Sequence, residues 1–256
     1  MKKARILHLI TRAAIGGSQD NTFCTCERHD RDRFEIHLAC NPDGAWLDRA
    51  RRAADFFHPV PSLVTPIRPF QDARALVEII RILRRGRYDL VHTHTAKAGI
   101  LGRIAARLCR VPVVVHTYHA FPWHDFMPAW RRGLYVLIER GCRPLTDFAL
   151  TVSENERMEG LRRGVLRPDC SQTVYSGIDF SKLDAPVDVA GVRAGLGVPV
   201  GAPVVLMAGR LDPQKAPTLM VEAFVQVRRR HPGAVLWLAG DGELRPQVEA
   251  SIRQHG

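Results

Sequence analysis

Apolar positions along the chain follow two rhythms. Short, often β-branched runs alternate with stretches in which apolar residues return every third or fourth position. The first rhythm predicts strands over residues 4–10, 34–40, 56–60, 89–92, 111–118 and 147–152. The second predicts helices over 18–29, 45–54, 72–85, 96–109 and 130–140. Asp72 is placed to cap the third of these, whose inner face carries Leu76, Ile79, Ile80 and Leu83. Pro61, Pro66 and Pro69 mark residues 61–70 as loop, and Ser153 with Glu156 forms a capping box that opens a further helix. Repeated strand–helix units of this length predict a parallel sheet with helices on both faces.

The rhythm breaks near Gly177. Residues 177–203 are rich in Gly, Pro and Asp around one short helix, the composition of an interdomain linker. Alternation then resumes with a strand over 204–208, a helix over 218–230, a strand over 234–239 and the turn 240-GDGE-243 before a last helix. The expected organisation is α/β: a first domain over 1–177, a linker over 178–202 and a partial second domain over 203–256. Two parallel strands bury little surface and leave edges unpaired, so the chain is expected to end inside a domain.

With 46% hydrophobic and 25% charged residues, the 256-residue chain has an ordinary globular composition. No apolar run approaches the roughly 20 residues of a membrane span. The basic, then apolar N-terminus faintly resembles a signal peptide, but residues 4–10 alternate as a core strand does, which points to a cytoplasmic protein. The six cysteines form no CxxC pair, in keeping with a reducing compartment. A net charge of +11 favours anionic partners, nucleotides or an acidic membrane face, although solvated arginine-rich helices would give the same balance. No aromatic-basic platform or recognition motif indicates nucleic acid.

Three segments carry candidate chemistry. Gly16 and Gly17 follow the first strand and open a helix, so they either admit a phosphate to the helix N-terminus or make a plain tight turn. Neither dinucleotide-binding nor P-loop spacing is present. Arg210 and Lys215 follow the first strand of the second domain, where two cations would neutralise a diphosphate and stabilise it as a leaving group. The alternative is two solvated surface charges. The segments 92-HTHTAKAGILG-102 and 116-HTYHAFPWH-124 both begin where a strand ends, so His94, Lys97 and His119 are expected to face one cleft with Gly16 and Gly17. These histidines lack the Cys or carboxylate partners of a zinc site, so no metal is expected, and hydrogen-bonding, acid–base or structural roles remain open.

Seven segments then match a known pattern in order along the whole chain. They are ITRAAIGGSQ, YDLVHTHTAKAGILGRIAARL, PVVVHTYHAF, TDFALTVSENER, TVYSGIDFSKL, AGRLDPQKAPTLMVEAF and LAGDGELRPQVE. Together they resemble the retaining glycosyltransferases of family 4, which share the GT-B architecture of two Rossmann-like domains. The resemblance implies that Arg210 and Lys215 grip the diphosphate of a nucleotide-activated sugar. It also implies that Gly16 and Gly17 let the first domain approach that donor, and that His119 lies near the transferred sugar as the catalytic histidine. His94 and Lys97 become candidates for the acceptor side. No metal or other cofactor is implied, and the acceptor would be lipid-linked or a polysaccharide. Separately, the arginine-rich helix 72-DARALVEIIRILRRGR-87 would suit peripheral contact with an acidic membrane, with a solvated basic face as the alternative.

The match departs from the family pattern at Ala216 and Ala120, where glycine is usual. The family's later E-x7-E segment lies beyond Gly256, so the chain is expected to be a truncated form. Two other readings accompany the enzyme: a sugar-nucleotide epimerase of the same architecture, which would turn over donor without acceptor, and a catalytically inactive binding module.

Overall fold

The structure is a computed structural model describing residues 2–125, 127–180, 184 and 186–255. Ser181, Lys182, Leu183 and Ala185 of the expected linker lie outside the described residues, as do Met1, Phe126 and Gly256. The chain divides into two compact units, Met1–Ile178 and Asp179–Gly256.

The first unit holds one sheet of β1 (Ala4–Arg12), β2 (Phe34–Asn41), β3 (Phe56–Pro59), β4 (Leu90–His94), β5 (Val113–Tyr118), β6 (Phe148–Thr151) and β7 (Ser171–Thr173). The strand order is β3-β2-β1-β4-β5-β6-β7, with every neighbouring pair parallel. The order reverses between β1 and β4, and the carboxyl ends of the strands flanking such a switch point form a ligand crevice.

Alternation along β1 sends its side chains to two separate cores. Leu7 and Leu9 pack with Ala75 and Ile79 of α3 (Pro69–Gly86) and Ala98 and Ala105 of α4 (Ala96–Leu108). Ile6 and Ile10 pack on the other face with Phe23 and Cys26 of α1 (Gly17–Glu27) and Ala50 and Ala53 of α2 (Leu47–Ala53). The expected sheet with helices on both faces is therefore present.

Several local expectations change. Helix α3 begins at Pro69, whose fixed φ suits a first helical position, so Asp72 is not the cap. Its carboxylate lies within the first turn, accepting from the Arg68 N–H at 3.0 Å and pairing with Lys97. Strand β4 extends through Thr93 and His94, both buried, because those polar side chains find partners across the sheet. Strand β7 was not predicted, since three residues without an apolar run carry no periodic signal. The Ser153 hydroxyl does cap α6 (Glu154–Arg162), accepting from the Glu156 N–H at 3.2 Å.

Beneath β5, Arg103 of α4 and Glu139 of α5 (Ala129–Cys142) form a fully buried ion pair at 2.8 Å. Tyr118 donates to the same carboxylate oxygen at 2.9 Å, and Arg103 Nε donates to the Gly99 carbonyl at 2.9 Å. Removing one member leaves the other charge buried and unpaired. Glu139→Gln is therefore expected to cost about 3–5 kcal/mol and to lower the melting temperature by roughly 10 °C. An Arg103→Met/Glu139→Leu double variant should lie closer to wild type in a calorimetric scan. Equal losses in both variants would show that the charge pair is not the source.

The second unit comprises α7 (Val189–Gly195), β8 (Val204–Ala208), α8 (Pro217–Arg230), β9 (Val235–Ala239) and α9 (Arg245–His255). Strands β8 and β9 pair in parallel from Val204–Val235 to Ala208–Ala239. Val221, Phe224, Leu236, Leu238 and Ile252 line an open apolar hollow between α8, α9 and β9.

Candidate functional site

In the first unit the candidate residues gather at the β1/β4 switch point. Gly16 is the residue before α1. A Cβ on Gly17 would meet no atom within 4 Å, whereas one on Gly16 would meet Gln19 Oε1 at 2.8 Å, so the helix start is open at Gly17 and covered by the Gln19 side chain at Gly16. Opposite it, Thr95 precedes α4 with φ 62°, a conformation costly for a β-branched residue. Its hydroxyl lies 2.8 Å from that of Thr11 at the end of β1. Only the main-chain dihedral marks Thr95, and no sequence motif does.

The histidines are assembled by register. His8 of β1 is paired with His92 of β4, so both point to one face, and His94 follows two positions on. His116 pairs with Thr93 and points the other way, its ring lying where a Cβ on Gly99 would meet it at 2.4 Å. Gly99 thus serves close helix–sheet packing. On the first face, ring nitrogens of His8 and His94 lie 3.1 Å apart, those of His8 and His29 3.1 Å, and those of His94 and His119 3.2 Å.

Burial and the neighbouring His92 and His29 rings, with Arg31, hold His8 well below the ordinary imidazole range. His94 is held down by burial and by His92, His119 and His8. Burial brings His119 down to about 4, and burial with His119 and His29 brings His92 down to about 3. These rings are neutral at pH 7.

His8, His92 and His94 can present nitrogens within 4.8 Å of one another. To ligate a dication each ring would have to give up a nitrogen, but His8 and His94 each have both nitrogens engaged with other histidines, and His92 Nε2 is bonded to the Thr117 hydroxyl. Sequence spacing could not reveal this grouping, because adjacent strands bring together residues far apart in the chain.

His119 is half-buried at the end of β5 and touches His94, whereas His94 itself is 1% exposed. Of these two, therefore, only His119 reaches the open side. Lys97 bonds the Asp72 carboxylate at 2.6 Å and the Pro66 carbonyl, so its charge is already engaged with α3. His94 and His119 lie together at the ends of β4 and β5, but His94 is buried and does not face a cleft as expected, while Gly16 and Gly17 open α1 after β1. Lys97 is directed toward α3.

In the second unit Arg210 and Lys215 lie on the loop from β8 to α8. That loop is tied to the 240–244 turn: Gly209 N–H donates to Ala239 O at 2.9 Å, Leu211 N–H to Asp241 O at 3.0 Å, and Leu244 N–H to Leu211 O at 2.9 Å. A Cβ on Gly240 would lie 1.8 Å from Gly209 O, so the two loops can meet only with glycine there. Arg210 is exposed and pairs with Asp212 at 3.0 Å, while Asp212 also accepts from the Lys215 backbone N–H at 3.0 Å. One acidic side chain thus organises both cationic positions.

Comparison with known proteins bears on the family and the fold. The glycosyl transferase 4-like domain matches residues 16–172, and the glycosyl transferases group 1 family matches residues 191–256. The UDP-Gal:alpha-D-GlcNAc-diphosphoundecaprenol alpha-1,3-galactosyltransferase of Escherichia coli is 31% identical over 94% of this chain and 63% of its own length. The D-inositol 3-phosphate glycosyltransferase of Acidothermus cellulolyticus is 29% identical over 68% of this chain and 40% of its own. The chain thus spans less than two thirds of either relative.

Among solved structures, Anabaena Alr3699/HepE in complex with UDP and glucose superposes with a TM-score of 0.80 at 20% identity, covering 99% of this chain and 66% of that one. The UDP-N-acetylglucosamine 2-epimerase of Rickettsia bellii gives 0.65 at 11% identity, covering 97% and 65%. The fold is the GT-B type expected from the sequence. With one domain profile matching most of the first unit and a second matching most of the other, the chain belongs to the glycosyl transferase 4-like family.

Proposed function

We propose that this chain serves the transfer, with retention, of a sugar from a nucleoside-diphosphate donor to a lipid-linked or polysaccharide acceptor in envelope glycan synthesis, at the cytoplasmic face of the membrane. The observation that carries the reading is the braced β8–α8 loop, which presents Arg210 and Lys215 at a strand's carboxyl end. Arg210 would leave Asp212 for the diphosphate, bonding it bidentately, with Lys215 as a point charge beside it. These cations supply the charge stabilisation that a metal would otherwise provide, so transfer is proposed to be metal-independent. His119 would meet the transferred sugar, with Gly16 and Gly17 admitting the donor. The galactosyltransferase relative, whose name specifies a diphosphoundecaprenol-linked acceptor, supports the lipid-linked alternative.

The test incubates the protein from its own cells with labelled UDP-sugars and diphosphoundecaprenol-linked acceptor, with and without chelator. Acceptor-dependent product of unchanged anomeric configuration, insensitive to chelator, is expected. Conversion of UDP-N-acetylglucosamine without acceptor would instead favour the epimerase reading, to which the 0.65 superposition lends weight. Donor binding with no turnover would favour a binding module.

A lipid-linked acceptor requires approach to a bilayer. No described helix is long and apolar enough to cross one. Helix α5, however, turns Trp130, Leu134 and Leu137 outward, and Phe70 at the start of α3 is 95% exposed. Arg131 and Arg140 flank the α5 stripe, a pattern suited to anionic lipid. Both helices start at the carboxyl edge of the sheet, where His119 lies. Co-sedimentation with phosphatidylglycerol vesicles is expected, weak with phosphatidylcholine, and reduced about tenfold by Leu134→Glu/Leu137→Glu. Unchanged sedimentation of that variant would remove α5 from the contact.

A further inference from the structure

We infer that His29, His8, His94 and His119 form one hydrogen-bonded chain of neutral imidazoles that fixes the tautomer of His119, so that its Nδ1–H donates toward the transferred sugar. The inference rests on the proposed placement of His119 at that sugar and adds the role of the three residues behind it.

The links are His29 Nε2 to His8 Nε2 at 3.1 Å, His8 Nδ1 to His94 Nε2 at 3.1 Å, and His94 Nδ1 to His119 Nε2 at 3.2 Å. A neutral imidazole has one donor nitrogen and one acceptor nitrogen. A chain in which His8 and His94 each spend both nitrogens therefore has only two complete arrangements, with all the donors pointing one way or all the other. In the first, His29 donates from Nε2, His8 and His94 donate from Nδ1, and His119 accepts at Nε2, leaving Nδ1–H free. In the second every bond reverses, and His119 presents a bare Nδ1 lone pair. No described residue bonds that Nδ1. His92 stands beside the chain, its Nε2 engaged by the Thr117 hydroxyl at 2.7 Å.

The choice between the two arrangements falls to charge at the far end. After burial, Arg31 is among the charges that hold both His29 and His8 low. Its Nε faces Asp55 at 3.4 Å and its Nη2 donates to Ala53 O at 2.8 Å, while its Nη1 is buried with no hydrogen-bond partner among the described residues. A cation there favours the arrangement whose lone pairs face it and whose N–H groups point away, which is the first. His119 then enters the site as a hydrogen-bond donor and cannot serve as a base. His8, His94 and His29 act through His119 as positioning residues.

The test uses the intact protein labelled with 15N-histidine, reading each ring's tautomer from long-range 1H–15N correlations at pH 7.5. Expected are Nδ1–H at His8, His94 and His119 and Nε2–H at His29. An Nε2–H tautomer at His119 would overturn the assignment, as would stoichiometric zinc on these rings in protein taken from its cells. Arg31→Gln, at the edge of the cluster, should shift the His119 tautomer ratio by about tenfold toward the reverse arrangement; an unmoved ratio would remove Arg31 as the ordering charge. Transfer assays separate this inference from the functional reading. Loss of transfer in His119→Ala with the reverse tautomer in wild type refutes the chain alone, whereas normal transfer in His119→Ala refutes the placement at the sugar.

Discussion

Acidification from pH 7.5 to 5 is expected to unfold the first unit cooperatively. His8, His92, His94, His116 and His119 are all held below the ordinary imidazole value of 6.5, in each case chiefly by burial. The unfolded chain would take up protons on these rings near pH 6.5, while the native state refuses them until far lower pH. The unfolded state then binds more protons, so stability is complete above about pH 6.5 and is lost as pH falls toward the native values. For His119 that window runs from 6.5 down to about 4, and for His92 down to about 3.

Each pH unit within the window costs about 1.4 kcal/mol per ring. Several rings titrating together would exhaust a typical domain stability of about 5–15 kcal/mol within one or two units. Hydrogen exchange at the β1 and β4 amides, followed from pH 7.5 to 5, checks this after correction for the intrinsic rate. Protection that stays flat down to pH 5 would mean that the rings are already charged in the native protein, and the neutral imidazole cluster would be wrong.

The second large effect concerns transfer. Arg210→Ala and Lys215→Ala are each expected to lower kcat/KM by about 10²–10³-fold, the range found when one preorganised donor to developing charge is removed. Their combination should bring transfer close to background. Both side chains stand on the exposed surface of the loop, and the bracing hydrogen bonds to the 240–244 turn are made by backbone atoms, so the fold should survive. Arg210→Lys should recover little, because a point charge cannot replace two parallel N–H bonds. Near-normal rates in the single variants, with unchanged melting, would remove the diphosphate from this loop.

The fold was legible in the sequence to the extent that apolar side chains declare their own environment. Ile6 and Ile10 against Leu7 and Leu9 already encode a strand buried on two faces, and Leu76, Ile79 and Leu83 encode the inner face of α3. Periodicity reports burial locally, so these elements needed no knowledge of partners. The same locality explains the errors. Thr93 and His94 looked like the end of a strand because a polar residue is core-compatible only when a partner exists, and those partners lie on β5 and beyond it. Asp72 looked like a cap because its partner Lys97 sits on a different helix. Pro69 had already set the helix start.

The candidate site divides along the same line. Motifs on a single loop, Gly16-Gly17 and Arg210 with Lys215, could be read directly because their geometry depends on a few consecutive residues. The relation among His8, His29, His94 and His119 could not be read, for it is created by the parallel register of β1 with β4 and by the turn of chain after α1. By itself the sequence determined the order of the elements other than β7, the family and the place of the cationic loop. Only the tertiary structure decided which polar side chains share a face, which charge is already paired, and which ring nitrogens face one another. A hydrogen bond is set by distances of about 3 Å between groups that the chain brings together only when the sheet closes.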